Sequence, residues 1–343
     1  MPPIEATSKT YIDALQYPIP EQRWFEEWAE GNISCVHVTV AIWENAAETF
    51  ARISQWRTAA SENSSLVEIA SNAADIRRIA DSGRTAIVLG FQNTAPIEHD
   101  IDLIGKFREL GVCVMQLTYN LQNYVGSGYW EEKDSGLSSR FGRNAVREMN
   151  DVGVLIDLSH CGDRTTLDAI TYSARPVAIT HANPREFVGT PTFGSGRLKT
   201  SEALKSLAER GGVVGLSPNR HMTQNGVETT LREFCEMVAW TSDLIGVDAV
   251  GIGTDYCAGH DSSVRNWWRY ARWSRERHQH DGAPHENWQE WFRSPSDFAG
   301  LERGLKEFGF GETDVHKIMG GNWMRLFDQG FAPSSAKEVG TDD

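Results

Sequence analysis

Seven short apolar runs punctuate the chain: Cys35–Ile42, Thr85–Phe91, Val112–Leu117, Val152–Leu158, Pro176–Thr180, Gly212–Ser217 and Ala249–Gly253. Their length constrains the fold more than any other feature. Each is long enough for a buried strand and too short for a buried helix. Between most of them lies a segment with helical spacing, as in Ile101–Leu110, Asn144–Asn150, Ser201–Arg210 and Leu231–Ile245. Strands alternating with helices predict βαβ units and a parallel sheet. The runs are continuously rich in Val, Ile and Leu, as strands covered on both faces are. A weaker run, Tyr11–Tyr17, precedes the helix-like Glu21–Gly31 and supplies an eighth strand. The count predicts an α/β chain folded as a (β/α)8 TIM barrel. The competing open, doubly wound sheet usually announces itself with a Gly-rich phosphate loop after an early strand, and the chain has none.

Such a barrel takes ~250 residues, so a chain of 343 residues has material left for loops. Two stretches read as insertions, Asn120–Arg140 after strand four and Ala258–Pro295 after strand eight, and the second holds Trp267, Trp268, Trp273, Trp288 and Trp291 of the 12 tryptophans. No linker divides the chain, which is expected to form one barrel domain over residues 1–330 with a polar tail at 331–343. With 47 acidic against 33 basic residues, the net charge is −14. That balance argues against a nucleic-acid surface and against binding to an anionic membrane. No apolar run reaches the ~20 residues of a membrane span. The start, Met-Pro-Pro-Ile-Glu-Ala, lacks the basic and apolar regions of a signal peptide, so the expected compartment is the cytoplasm. Five cysteines without a Cys-x-x-Cys spacing indicate neither a disulfide framework nor a structural zinc site.

In a barrel the carboxyl ends of the strands carry the chemistry, and four of these ends are unusual. His160 follows Val-Leu-Ile-Asp-Leu-Ser, His181 follows Pro-Val-Ala-Ile-Thr, Asp255 follows Val-Gly-Ile-Gly-Thr, and Gln92 and Asn93 follow Ile-Val-Leu-Gly-Phe. Any one of them alone reads as a loop start or helix cap. Two histidines and an aspartate at equivalent positions on three strands converge on the barrel axis. There the imidazoles can bind a divalent metal such as zinc, and the carboxylate can take a proton from water.

The segments Gly-Val-Leu-Ile-Asp-Leu-Ser-His160, Arg175-Pro-Val-Ala-Ile-Thr-His181, Val250-Gly-Ile-Gly-Thr-Asp255 and Gly320-Gly-Asn-Trp-Met-Arg-Leu-Phe327 resemble the membrane (renal) dipeptidase family of the amidohydrolase superfamily. The resemblance runs from about Thr85 to Phe327. It implies a (β/α)8 barrel, often a homodimer, hydrolysing a dipeptide or related amide with two zinc ions. It further implies that His160 and His181 are zinc ligands and that Asp255 is the proton acceptor. By the same resemblance, Arg197, with Arg185 as its rival, grips the substrate carboxylate. The chain departs from the family at strand one, where Leu15 and Tyr17 stand in place of a His-x-Asp ligand pair. Gln92 stands for a bridging Glu, and Tyr119 for a substrate-polarising His. A neutral amide is a poor zinc ligand, so the expectation is a centre of at most one metal.

Three classes of function remain open on the residues. One is a hydrolase with a single zinc and a water held by His160, His181 and Asp255, with the Gln92 carbonyl as a further donor. Another is a metal-free acid/base enzyme working with Tyr119, His160, His181 and Asp255, with Gln92 and Asn93 beside the substrate. The last is a non-catalytic small-molecule binding protein on an enzyme scaffold. His37, inside strand two, reads as a core histidine that could replace a lost ligand, as could Glu44. His260 and Asp261 read as solvated loop residues, and the tryptophans after strand eight as divided between packing and a cover over the mouth.

Overall fold

A computed structural model describes residues 10–189, 195–260, 267–268 and 288–333. The strands are β1 (Ile12–Pro18), β2 (Cys35–Ala41), β3 (Val67–Ile69), β4 (Thr85–Phe91), β5 (Val112–Gln116), β6 (Leu155–Asp157), β7 (Ala178–Ile179), β8 (Val213–Leu216), β9 (Val250–Ile252) and β10 (Tyr256–Ala258). Helices α1 (Gln22–Glu30), α2 (Ala46–Glu62), α3 (Ala73–Asp81), α4 (Asp102–Glu109), α5 (Phe141–Val152), α6 (Asp163–Tyr172), α7 (Arg185–Val188), α8 (Ser201–Glu209) and α9 (Leu231–Ile245) fall between strands. After the last strand come α10 (Phe298–Phe308), α11 (Glu312–His316) and α12 (Asn322–Gly330). None of the described helices is long and apolar enough to cross a membrane.

Every pairing in the sheet is parallel, in the order β10-β1-β2-β4-β5-β6-β7-β8-β9, with β3 beside β4 off this path. The run expected at Ala249–Gly253 forms β9, which pairs with β8, and a further strand beyond it, β10, pairs with β1. The break at Gly253-Thr254-Asp255 lets one segment touch both neighbours, and the curled sheet returns on itself there. The expected (β/α)8 strand series is therefore present, with β3 an addition that its three residues did not announce.

Alternation places residues i and i+2 of a strand on one face. Ile12 and Ala14 of β1, Cys35 of β2, Val88 of β4, Val114 of β5, Leu155 of β6, Ala178 of β7 and Val213 of β8 are buried in one cluster with Trp323. Trp323 donates its indole N–H to Ile252 O at 3.0 Å, and Asn322 donates to Val247 O and Val250 O at 2.8 and 2.7 Å. The Gly-Gly-Asn-Trp segment therefore holds β9 from the amino end of the barrel, opposite the functional mouth. The outer faces of the strands pack against the helices in a larger apolar cluster.

The corner after β2 shows how side chains fix an element boundary. Asn45 caps α2 by accepting from Glu48 N while Glu48 accepts from Asn45 N, a reciprocal pair. Glu44, buried beside it, accepts from Ile42 N at 2.7 Å and Trp43 N at 3.1 Å and pairs with Arg52 at 2.7 Å. Glu44 is thus fully engaged in holding the strand end.

Candidate active site

His160 and His181 stand just past β6 and β7, and their Nε2 atoms face each other at 3.1 Å. Each ring is held from behind. His160 Nδ1 meets Asn120 Oδ1 at 2.8 Å, and His181 Nδ1 meets Thr180 Oγ1 at 2.8 Å. Thr180 Oγ1 in turn donates to Asp157 Oδ2 at 2.7 Å, which leaves the hydroxyl oxygen to accept from His181 Nδ1–H. That fixes the His181 proton on Nδ1 and its lone pair on Nε2, pointing into the barrel mouth. With Asn120 Oδ1 accepting, His160 has the same tautomer, so two nitrogen lone pairs point at one spot.

Asp255 completes the group. Its Oδ1 lies 3.9 Å from His181 Nε2, and its Oδ2 accepts from Asn219 Nδ2 at 3.0 Å. Its φ of 58° is left-handed, a conformation that costs a non-glycine residue energy and persists only where the surroundings enforce it. Tyr119 lies flat on His160, with ring centroids 4.2 Å apart. The loop that follows β5 wraps this ring: Tyr129 N donates to His160 O at 3.1 Å and Trp130 N to Asn120 O at 2.9 Å.

Burial is the main influence on the titrating groups. It holds both imidazoles well below the usual histidine range, with the Arg197 guanidinium adding to the effect on each. Both are neutral near pH 7, the form that can act as ligand or base. Burial also pushes the Asp255 carboxyl up to about 7, against the pull of Arg197 and Asn219 and with Asp13 and Asp157 adding to the rise. It pushes the Tyr119 hydroxyl well above its ordinary range, so this hydroxyl stays protonated.

The two arginine candidates are distinguished by their partners. Arg185 makes a forked pair with Asp163, both contacts at 2.7 Å. Arg197 is buried, and donates to Ser159 O at 2.9 Å and His181 O at 2.8 Å. It therefore braces the two histidine-bearing strand ends against each other. Lys199, also buried, donates to Cys161 O at 2.8 Å on the same side. Gln92 donates to Thr39 Oγ1 at 2.8 Å, and Asn93 accepts from Asn123. Both amides are thus turned toward neighbouring strands and loops rather than hydrogen-bonded to the histidine pair. His37 donates Nδ1–H to Ala14 O at 2.6 Å and fills space beside Gly90.

The strand-one corner of the mouth is aromatic. Tyr17 packs against His260 and Trp268, with centroids at 4.4 and 5.2 Å, and Trp43 donates to Trp268 O at 2.9 Å. His260 is accordingly half-buried against Tyr17, with its Nε2 2.8 Å from Tyr17 O, and not a solvated loop residue. Trp288 and Trp291 pack away from the mouth, against Tyr256 and Phe234. Trp273, Asp261 and the tail beyond residue 333 lie outside the described residues.

As a cradle for metal, these donors do not fit a two-ion centre. Leu15 and Tyr17 have no ligand chemistry to offer in an apolar setting, and Gln92 brings an amide where a bridge needs a carboxylate. Among the described residues, no three His, Cys, Asp or Glu side chains come together closely enough to hold a metal. The paired Nε2 atoms, each with its Nδ1 held by an oxygen in the manner of oriented metal ligands, supply two of the three protein donors that a catalytic zinc site uses.

Asn120, Thr180, Asp157 and Asn219 were not singled out from sequence. Two had a readable signal, since Asp157 and Thr180 lie three and one residues before the histidines. Asn120 and Asn219 are brought in by loops, and nothing local marks them.

The parallel barrel, with two facing imidazoles and a carboxylate brought together at its strand ends, matches a known family along most of its length. The family model for membrane dipeptidase (peptidase family M19) matches residues 14–271, and the chain belongs to that family. An amidohydrolase from Pseudomonas aeruginosa is 33% identical and superposes with a TM-score of 0.88, over 94% of this chain and 97% of that one. A metallo peptidase from Rhodobacter sphaeroides, solved with a phosphinate mimic of the dipeptide L-Ala-D-Ala, shares the fold at 16% identity, with a TM-score of 0.76 over 94% of this chain and 99% of that one. Among curated relatives, dipeptidase tcpJ of Claviceps purpurea is 25% identical over 285 residues, which is 81% of this chain and 59% of that protein. Dipeptidase verJ of Clonostachys rogersoniana is 27% identical over 220 residues, 64% of this chain and 55% of that protein. The chain spans less than two thirds of the length of these curated relatives.

Proposed function

We propose that the chain is a cytoplasmic hydrolase of a dipeptide or related small amide, working with at most one zinc ion as a single barrel domain that pairs into a homodimer. The observation that carries this reading is the pair of Nε2 atoms facing each other at 3.1 Å, each imidazole held through its Nδ1. His160 and His181 would hold the ion, which when bound polarises a carbonyl oxygen or acidifies water. The chain's own residues supply the remainder. Asp255, with its carboxyl pushed up to about 7, takes a proton at Oδ1 and is suited to return it near neutral pH. Asn219 keeps Oδ2 occupied, so the free oxygen is the one facing His181. Tyr119 stays protonated and can donate to a developing oxyanion. The N–H groups of Arg197 not used on backbone carbonyls are the nearer choice for a substrate carboxylate, since Arg185 is tied to Asp163. Gln92 and Asn93 line the same strand end, as part of the substrate pocket.

A second reading keeps the residues and omits the ion. If the Asn120 amide turns to donate to His160 Nδ1, His160 Nε2–H can donate directly to His181 Nε2, giving a metal-free acid/base pair. It is supported by the loss of the strand-one ligands. Elemental analysis of protein purified without chelator, combined with a hydrolysis screen of L,L and L,D dipeptides, tests both. The first reading expects about one equivalent of zinc, lost in His160→Ala together with turnover. Metal-free protein with full activity overturns it in favour of the second. Dipeptides left intact by zinc-loaded protein overturn the dipeptidase assignment itself.

A further inference from the structure

His181 and Asp255 hang on one device that the chain uses twice. On β6, Asp157 accepts from Thr180 N through Oδ1 at 2.9 Å and from Thr180 Oγ1 through Oδ2 at 2.7 Å, and the next residue is His181. On β1, Asp13 accepts from Thr254 N through Oδ1 at 2.8 Å and from Thr254 Oγ1 through Oδ2 at 2.6 Å, and the next residue is Asp255. Each carboxylate also turns its own strand. Asp157 Oδ1 accepts from Ser159 N at 3.0 Å, and Asp13 Oδ1 from Leu15 N at 3.3 Å. Both aspartates are fully buried.

The device has a definite mechanical meaning. Capturing the N–H of the threonine fixes its peptide plane, and capturing the hydroxyl fixes χ1. A residue held at both points can pass little freedom to its successor. In each copy the hydroxyl, having donated to the carboxylate, accepts from the functional segment: from His181 Nδ1 at 2.8 Å in one, and from Tyr256 N at 3.1 Å in the other. The first sets the His181 tautomer. The second, together with Asp255 N donating to Leu15 O at 3.0 Å, holds Asp255 in its left-handed conformation.

We propose that Asp157 and Asp13 are positioning residues, acting through Thr180 and Thr254 to set the tautomer of His181 and the direction of the Asp255 carboxylate. Their service to hydrolysis rests on the function proposed above, but the geometric claim stands apart from it and is tested apart from it. The variants are Thr180→Val and Thr254→Val, which keep shape and lose the hydroxyl, with Thr180→Ser and Thr254→Ser as restoring controls.

In the full chain after dialysis against a chelator, nitrogen NMR on labelled histidine is expected to find His181 protonated on Nδ1. It should find a shift to the Nε2–H form in Thr180→Val and a return in Thr180→Ser. An unchanged tautomer in Thr180→Val overturns the first half. Crystal structures of the Thr254 variants are expected to show the hydrogen bond from Asn219 to Asp255 broken in the valine form and intact in the serine form. Retention of that hydrogen bond and of the left-handed φ in Thr254→Val overturns the second. Should wild-type protein cleave dipeptides, kcat is expected to fall at least tenfold in each valine variant with KM within twofold. If no substrate is found, the NMR and crystal results still decide the positioning claim.

Discussion

Whether His37 is a displaced ligand or a packed core residue can be settled by exchanging the glycine that faces it. A Cβ placed on Gly90 of β4 would fall far inside van der Waals contact distance of His37 Nε2, 2.8 Å from His37 Cδ2 and 2.8 Å from Val114 O. Gly90→Ala should therefore force the imidazole off its site and break its bond to Ala14 O. Overpacking of this kind costs about 1–3 kcal/mol, and a lost buried hydrogen bond about another 1 kcal/mol, so a total of about 3 kcal/mol is expected. His37→Ala alone leaves a cavity and should cost about 2–4 kcal/mol. In the double variant the methyl enters the space the ring has left. Only the contact with Val114 O remains unrelieved, so the double cost should fall short of the sum by about 1.5 kcal/mol or more, a coupling within the range seen for touching residues. Urea unfolding of the four proteins measures it. Additive costs within about 0.5 kcal/mol, the usual scatter for independent sites, would refute the packing argument. So would zinc loss in His37→Ala, which would make the residue a ligand.

Three further outcomes are expected. Asp255 carries a carboxyl raised from 3.8 to about 7, so its native state favours the proton. The associated stability is present below about pH 4 and lost as pH rises through about 7, with a ceiling of about 4 kcal/mol at ~1.4 kcal/mol per unit, lowered by its partial exposure. In chelator-treated protein, Asp255→Asn should then melt above wild type by a margin that grows from about pH 4 to about pH 8, and a margin independent of pH refutes this. Arg197→Met removes the donors to Ser159 O and His181 O and the cation that suppresses imidazole protonation. It should destabilise the fold by about 2–3 kcal/mol and raise the histidine titrations followed by NMR. Asn45→Ala breaks the reciprocal cap of α2 and should cost about 1 kcal/mol with hydrolysis unchanged, since the lost hydrogen bonds join only Asn45 and Glu48.

The strands were legible because burial on both faces writes itself as a continuous apolar run, and all eight expected runs contain a strand. What could not be read was how the ring closes. Gly253-Thr254-Asp255 ends one apolar run, and nothing local says that Tyr256–Ala258 resumes as a strand paired to β1. That depends on Asp13, more than two hundred residues away, capturing Thr254. The same limit applies to the site. His160, His181 and Asp255 stood out because each ends a run where the barrel opens, whereas Asn120 and Asn219 arrive on loops whose course depends on packing. Arg197 stood out only through the family resemblance, as the grip on a substrate carboxylate, and its use as a brace between two strand ends follows from a register that no spacing encodes.

The departures at strand one also acquire a physical reason. Tyr17 is buried among Ile42, Cys257 and Trp268, with Trp43, Tyr119 and Trp267 packed against the group. A His-x-Asp pair in that corner would place an ionisable carboxylate among apolar rings, a costly arrangement without a cation to pair it. With rings packed into that corner, a charged ligand pair there is unfavourable, and Leu15 and Tyr17 suit the apolar setting they stand in. The histidine side has separate anchors: Asp157, Thr180 and Asn120 hold the imidazoles by hydrogen bonds to which β1 does not contribute. Asp255 is the point where the halves meet, held by Asp13 of β1 yet facing His181. Strand one therefore serves the site through its buried Asp13, which captures Thr254, while Leu15 and Tyr17 further along it bring no charge to the mouth.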